Sequence, residues 1–129
     1  MDTVKIGIIG TGWIAEKMAM TLEGMEGAEA YAVASRQLQT ACDFADRWGF
    51  TRAYGSYEEM LDDEEVELVY IATPHSHHFE HARMSLLKGK AVLCEKAFTA
   101  NARQAEELLN LAKEKELFIT EAIWTRYML

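Results

Sequence analysis

The chain has 129 residues, half of them hydrophobic and 26% charged, and its 21 acidic against 13 basic side chains leave a formal net charge of −8. That is ordinary for one soluble globular domain with a core of its own, and two domains would be crowded. With no basic run and no stretch of the ~18 consecutive apolar residues that a spanning helix needs, nucleic acid and membrane are excluded as expected partners.

Along the chain, short β-rich apolar runs alternate with longer helical periods. VKIGIIG (4–10) predicts the first strand, followed by a helical stretch from about Trp13 to Met25 on which Met18, Met20 and Met25 read as packing residues. EAYAVAS (29–35) predicts the second strand. QLQTACDFADRWG (37–49) predicts a helix that stops at a glycine, where left-handed angles are tolerated. After a brief strand at Arg52 to Tyr54, Ser56 with Glu59 three residues on gives a capping-box start for a short helix reaching about Asp63. The acids Asp62, Asp63, Glu64 and Glu65 read as a solvated loop without function. ELVYIAT (67–73), a helix from about Ser76 to Lys88, KAVLCEK (90–96), a helix from about Asn101 to Glu116 and LFITEAIW (117–124) complete the order βαβαβαβαβαβ.

Near-continuous apolar strands are what a parallel sheet covered on both faces requires, so the expected fold is α/β, a doubly wound parallel sheet of Rossmann type. One proline, no repeat and no Gly/Ser linker leave residues 1–129 as one domain. Cys42 and Cys94, far apart and without a CxxC, are expected to be free thiols in a cytoplasmic protein.

Gly10-Thr11-Gly12-Trp13-Ile14-Ala15 lies between a predicted strand and a predicted helix, the context in which a GxGxxG/A spacing has a mechanism. Gly10 permits the tight turn, Gly12 lets backbone N–H groups approach a pyrophosphate, and Ala15 satisfies close helix packing. A glycine turn that only reverses the chain is the blander alternative. About 20 residues further on, where NAD-binding domains place an acid against the ribose 2′-OH, stand Ser35 and Arg36. A hydroxyl donor and a guanidinium suit a 2′-phosphate, so NADP(H) is preferred and NAD is the alternative; an exposed Arg36 capping the next helix is the competing explanation.

Ligands of open α/β sheets lie beyond the strands' carboxyl ends, which directs attention to Thr73-Pro74-His75-Ser76-His77-His78 and Glu95-Lys96. These stretches resemble the Thr-Pro-Asn-x-x-His and Glu-Lys-Pro patterns of the glucose-fructose oxidoreductase / inositol dehydrogenase / rhizopine-catabolism family. Pro74, His78, Glu95 and Lys96 match, while His75 replaces the usual Asn and Ala97 the usual Pro. The terminal EAIWTRYML is similar to the dimeric dihydrodiol dehydrogenase and NADP-dependent xylose dehydrogenase branch, where it leads into an α+β substrate domain. The resemblance implies that the 129 residues are a fragment without that domain, inactive by themselves. It also implies cofactor contacts at Thr73, Pro74, His75, His78, Glu95 and Arg126, a substrate wall at Trp124, and a self-associating protein acting on a polyhydroxylated or dihydrodiol substrate.

Lys96 is the catalytic candidate on two grounds. The family pattern places it there, and a lysine just past a strand end can hydrogen-bond a substrate hydroxyl and polarise the carbonyl formed as hydride leaves. A surface lysine paired with Glu95 is the alternative, as a core role is for Trp124 and an exposed one for Arg126. His77-His78-Phe79-Glu80-His81 spells the H-x-x-E-H of inverted zinc proteases, yet one cofactor contact at His78 plus exposed helix positions explains it, and no metal is expected. Two functions remain: an NADP(H)-dependent oxidoreductase acting on CH–OH groups, or an NADP(H)-binding redox sensor without catalysis. The exposed sheet edge and the apolar terminal residues are expected to make the domain pair with itself.

Overall fold

A computed structural model describes residues 3–24, 26–73, 78–95, 102–117 and 119–122, and over these the alternation of the sequence becomes six parallel strands. In chain order the elements are β1 (Val4–Ile9), α1 (Trp13–Glu23), β2 (Ala28–Ala34), α2 (Leu38–Trp48), β3 (Arg52–Tyr54), α3 (Tyr57–Leu61), β4 (Leu68–Ile71), α4 (His78–Leu87), β5 (Ala91–Glu95), α5 (Ala102–Glu114) and β6 (Ile119–Ala122). The sheet order β3-β2-β1-β4-β5-β6 reverses direction between β1 and β4. That reversal is the switch point at which open α/β sheets form a ligand crevice. Among the described residues no helix is long and apolar enough to cross a membrane.

The continuous apolar runs divide residue by residue between two cores, because successive strand side chains point to opposite faces. Ile9, Ala32, Ala34, Val69 and Ile71 face the layer of Met60, Leu86 and Leu108, from α3, α4 and α5. Ile6, Ile8, Val33 and Tyr70 face Met18, Leu22 and Phe44, from α1 and α2. Met18 packs as the sequence indicates, whereas Met20 is 54% exposed, on the outer side of α1. Met25 lies outside the described residues.

Local signals set the end of α2 and the start of α3 where the sequence places them. Gly49 caps α2 in the left-handed region at φ 77°. Ser56 Oγ accepts from the Glu59 N–H at 3.2 Å, and the Ser56 hydroxyl donates to the Glu59 carboxylate at 3.2 Å instead of leaving that carboxylate for its own N–H.

The acidic segment after α3 is a tie, which corrects its reading as a merely solvated loop. The Asp63 carboxylate accepts from Tyr54 at 2.6 Å, from Tyr31 at 2.9 Å and from the Glu65 N–H at 2.9 Å. Its carbonyl accepts from the ammonium of buried Lys90 at 2.8 Å. Lys88 pairs with Asp62 at 2.6 Å. Burial would raise the Asp63 carboxyl, but the bonds from Tyr54, Glu65 and Tyr31 and the charge of Arg52 outweigh it and hold it below its usual value. Burial first and Asp63 second push the Tyr54 phenol up to about 12.

A carboxyl depressed in the folded state contributes stability above its unfolded value, about 3.9, that is lost as pH falls through the folded value. Asp63→Asn is therefore expected to cost about 1 kcal/mol at neutral pH, the net worth of its hydrogen bonds. The gap from the unaltered chain should narrow as thermal melts are carried down through pH 4 and below. A pH-independent gap would show that the ionised carboxylate is not what the tyrosines hold.

Candidate functional site

Three strand ends converge at the switch point, and the ladder fixes each of them. Gly10 N–H donates to Ala34 O at 3.0 Å, Ala72 N–H to Ile9 O at 2.9 Å and Ser35 N–H to Tyr54 O at 3.1 Å. Beyond them opens a crevice of about 520 Å³ lined by Gly10, Thr11, Gly12, Trp13, Ile14, Ser35, Arg36, Tyr57, Ala72 and Thr73. Among the described residues this lining contains no carboxylate.

The two glycines do different work. Gly10 sits at φ +108°, and a Cβ there would lie 3.1 Å from the Ala72 carbonyl oxygen, so the turn itself demands glycine. Gly12 is the N-cap of α1 in ordinary extended backbone at φ −78°, and a Cβ there would meet nothing within 4 Å. Its bareness leaves room over the helix end. The first intrahelical bond runs from Glu16 N–H to Gly12 O at 3.0 Å, and no side chain caps the helix. The N–H groups of Trp13, Ile14 and Ala15 thus have no partner within the helix, and such donors at the positive end of a helix dipole suit an anion. At the mouth, Trp13 is 62% exposed with the Lys17 ammonium 4.4 Å above its ring.

Ser35 and Arg36 form the far end, past β2. The Ser35 hydroxyl oxygen accepts from the Gln37 N–H at 3.4 Å, which leaves its proton to donate. Arg36 is exposed, as either explanation requires, and the N-cap of α2 is Gln37, without a side-chain cap bond.

On the β4 side the histidines depart from the expectation of one ligand contact among exposed positions. His78 is 1% exposed, and its Nε2 lies 2.6 Å from the Thr73 carbonyl oxygen, so it holds the backbone of Thr73. His81 is 7% exposed; its Nδ1 lies 2.8 Å from the Thr73 hydroxyl, and Tyr57 meets it edge-on at 4.8 Å between ring centroids. Both are therefore buried helix positions, not exposed ones. Among the described residues no three His, Cys, Asp or Glu side chains gather as a metal set.

The structure thus brings Gly10, Thr11, Gly12, Trp13, Ile14, Ser35, Arg36 and Thr73 to one crevice, with His78 behind it. Glu95 is the last residue of β5. Pro74, His75, Lys96, Trp124 and Arg126 lie outside the described residues. Tyr57 and Ala72 also line the crevice and were not singled out by the sequence. Each follows a strand end, so the carboxyl-end rule would have found them had it been applied to the short β3 and to the residue before Thr73.

Residues 4–122 match the model of the oxidoreductase family with an NAD-binding Rossmann fold, the Gfo/Idh/MocA family. The chain belongs to this family. Among relatives it is 46% identical over 137 aligned positions to the D-xylose 1-dehydrogenase (NADP(+)) of Hypocrea jecorina, an alignment covering 97% of this chain and 35% of that one. It is 41% identical to the trans-1,2-dihydrobenzene-1,2-diol dehydrogenase of Mus musculus, over 94% of this chain and 37% of that one. The crystal structure of KijD10, a 3-ketoreductase from Actinomadura kijaniata in complex with NADP, superposes with a TM-score of 0.88 at 34% identity, covering 93% of this chain and 38% of that one. The chain thus spans little more than a third of the length of these family members.

Proposed function

We propose that the chain is the cofactor-binding part of an NADP(H)-dependent oxidoreductase that moves a hydride between nicotinamide and a hydroxyl or carbonyl carbon of a sugar, cyclitol or dihydrodiol. The observation that carries this reading is the crevice itself: uncapped helix N–H groups at its centre, a serine and an arginine at one end, and no carboxylate among the described residues of its lining. The bare space over Gly12 and the volume of about 520 Å³ fit an extended phosphorylated ligand. Relatives named for NADP and for a sugar or diol support the same choice of cofactor and substrate class.

When bound, NADP(H) supplies or accepts the hydride. The residues of this chain do the rest. Backbone donors of Thr11 to Ile14 hold the diphosphate, while Ser35 and Arg36 hold the 2′-phosphate. Thr73, with Pro74 and His75 next in sequence, serves the nicotinamide side; His78 acts on it through the Thr73 carbonyl. Lys96, following Glu95 at the end of β5, moves the proton at the reacting oxygen, with Arg126 near the cofactor and Trp124 toward the substrate. The free Cys42 supports a cytoplasmic location, and the edge strands β3 and β6 support pairing between copies.

Titration followed by nicotinamide fluorescence tests the cofactor assignment. NADPH is expected to bind saturably and about tenfold or more tightly than NADH, the worth of one charge-assisted contact to phosphate. Binding of neither would overturn the reading, and tighter binding of NADH would overturn the assignment of Ser35 and Arg36.

A further inference from the structure

Thr73 is held from two directions. A Cβ on Gly10 would lie 3.3 Å from Thr73 Cγ2, so the threonine abuts the glycine turn, while its hydroxyl engages His81 Nδ1 at 2.8 Å. His81 also takes the Tyr57 ring edge-on at 4.8 Å, and Tyr57 lines the crevice from α3, a separate element. One buried imidazole therefore touches two crevice-lining side chains from behind and itself lines nothing. Its backbone is fixed as well, for the Ser85 hydroxyl donates to the His81 carbonyl at 2.8 Å.

We propose that His81 is a positioning residue for cofactor binding, holding the Thr73 hydroxyl and the Tyr57 ring in the wall of the crevice; the proposal rests on the NADP(H) reading above. The chemistry lies in the hydroxyl. With a bare Nδ1, the imidazole accepts a hydrogen bond from the Thr73 hydroxyl, which then offers only lone pairs to the crevice. With Nδ1–H, the imidazole donates to Thr73 Oγ1 and frees the hydroxyl proton for a phosphate or ribose oxygen. An anionic ligand favours the second arrangement, so the histidine sets whether Thr73 meets it as donor or acceptor.

The test compares two probes, NADPH and 2′-AMP, the latter occupying only the Ser35–Arg36 side. His81→Leu is expected to weaken NADPH about tenfold and to leave 2′-AMP within about twofold. His81→Gln, which keeps a donor and an acceptor, should recover most of the loss. Thr73→Val, close to isosteric, should reproduce His81→Leu without depending on how well that variant folds. The losses in the double variant should be less than additive, because both substitutions remove the shared Thr73–His81 bond.

Unchanged NADPH affinity in His81→Leu, equal loss of both probes, or additive losses in the double variant would each overturn the proposal. Failure of the unaltered chain to bind NADPH would overturn the cofactor reading and this one with it. Binding of NADPH to the unaltered chain with any of the three preceding results would sink His81 alone.

Discussion

Alanine at Gly10 and alanine at Gly12 are expected to damage the chain in opposite ways. At Gly10 the backbone sits at φ +108°, and the new methyl would lie 3.1 Å from one backbone atom of Ala72 and 3.2 Å from another, neither of which can swing aside as a side chain would. Strain at such a φ and overpacking each cost about 1–3 kcal/mol, so Gly10→Ala should lose about 2–6 kcal/mol of stability. For a domain holding about 5–15 kcal/mol in all, that is a large fraction, visible as a lower urea midpoint with cofactor absent. At Gly12 the methyl meets nothing and the backbone is already one that alanine adopts. Stability should fall by no more than about 1 kcal/mol, the cost of alanine at an N-cap. NADPH affinity, in contrast, should fall about tenfold to a hundredfold, because the methyl stands in the path proposed for the diphosphate to the helix N–H groups. A Gly12→Ala chain that bound NADPH as well as the unaltered one would mean that the helix end is not the diphosphate site.

That contrast also marks what the sequence could reveal. Both glycines were legible as a pair because their spacing between an apolar run and a helical period records local backbone demands. The same holds for the cap at Gly49 and the start at Ser56, and the strands fall within a few residues of the apolar runs that foretold them. Contacts between separate elements were not legible. Nothing in the local pattern around Tyr57 shows that its ring meets His81, or that the buried His78 turns inward to the Thr73 carbonyl. Asp63 illustrates the limit: its run of acids has the composition of a solvated loop, and only the fold brings Tyr31 and Tyr54 to its carboxylate. Met20 shows the reverse, an apolar residue on a packed helix that the geometry of α1 turns outward.

Exchanging the two residues after β2 should invert the cofactor preference without disturbing the fold. The Ser35 backbone is pinned by its N–H bond to Tyr54 O, and Arg36 is exposed, so neither side chain is needed for packing. Removing the guanidinium in Arg36→Ala eliminates the proposed charge-assisted contact to the 2′-phosphate, worth about 1.5–3 kcal/mol, which should weaken NADPH about tenfold to a hundredfold. NADH, which lacks the 2′-phosphate, should change little. Ser35→Asp adds a carboxylate where the hydroxyl stood; it repels the 2′-phosphate and can accept from a ribose 2′-OH, so NADPH should weaken further while NADH gains. In the double variant the losses should be less than additive, since both residues address one phosphate. Salt discriminates as well: the NADPH advantage of the unaltered chain should shrink as ionic strength rises, because an exposed arginine is screened over a Debye length of about 8–10 Å near 0.1–0.15 M. If Arg36→Ala bound NADPH unchanged at low salt, the 2′-phosphate would have to be recognised elsewhere in the crevice, and the selectivity assigned to this end of β2 would be lost.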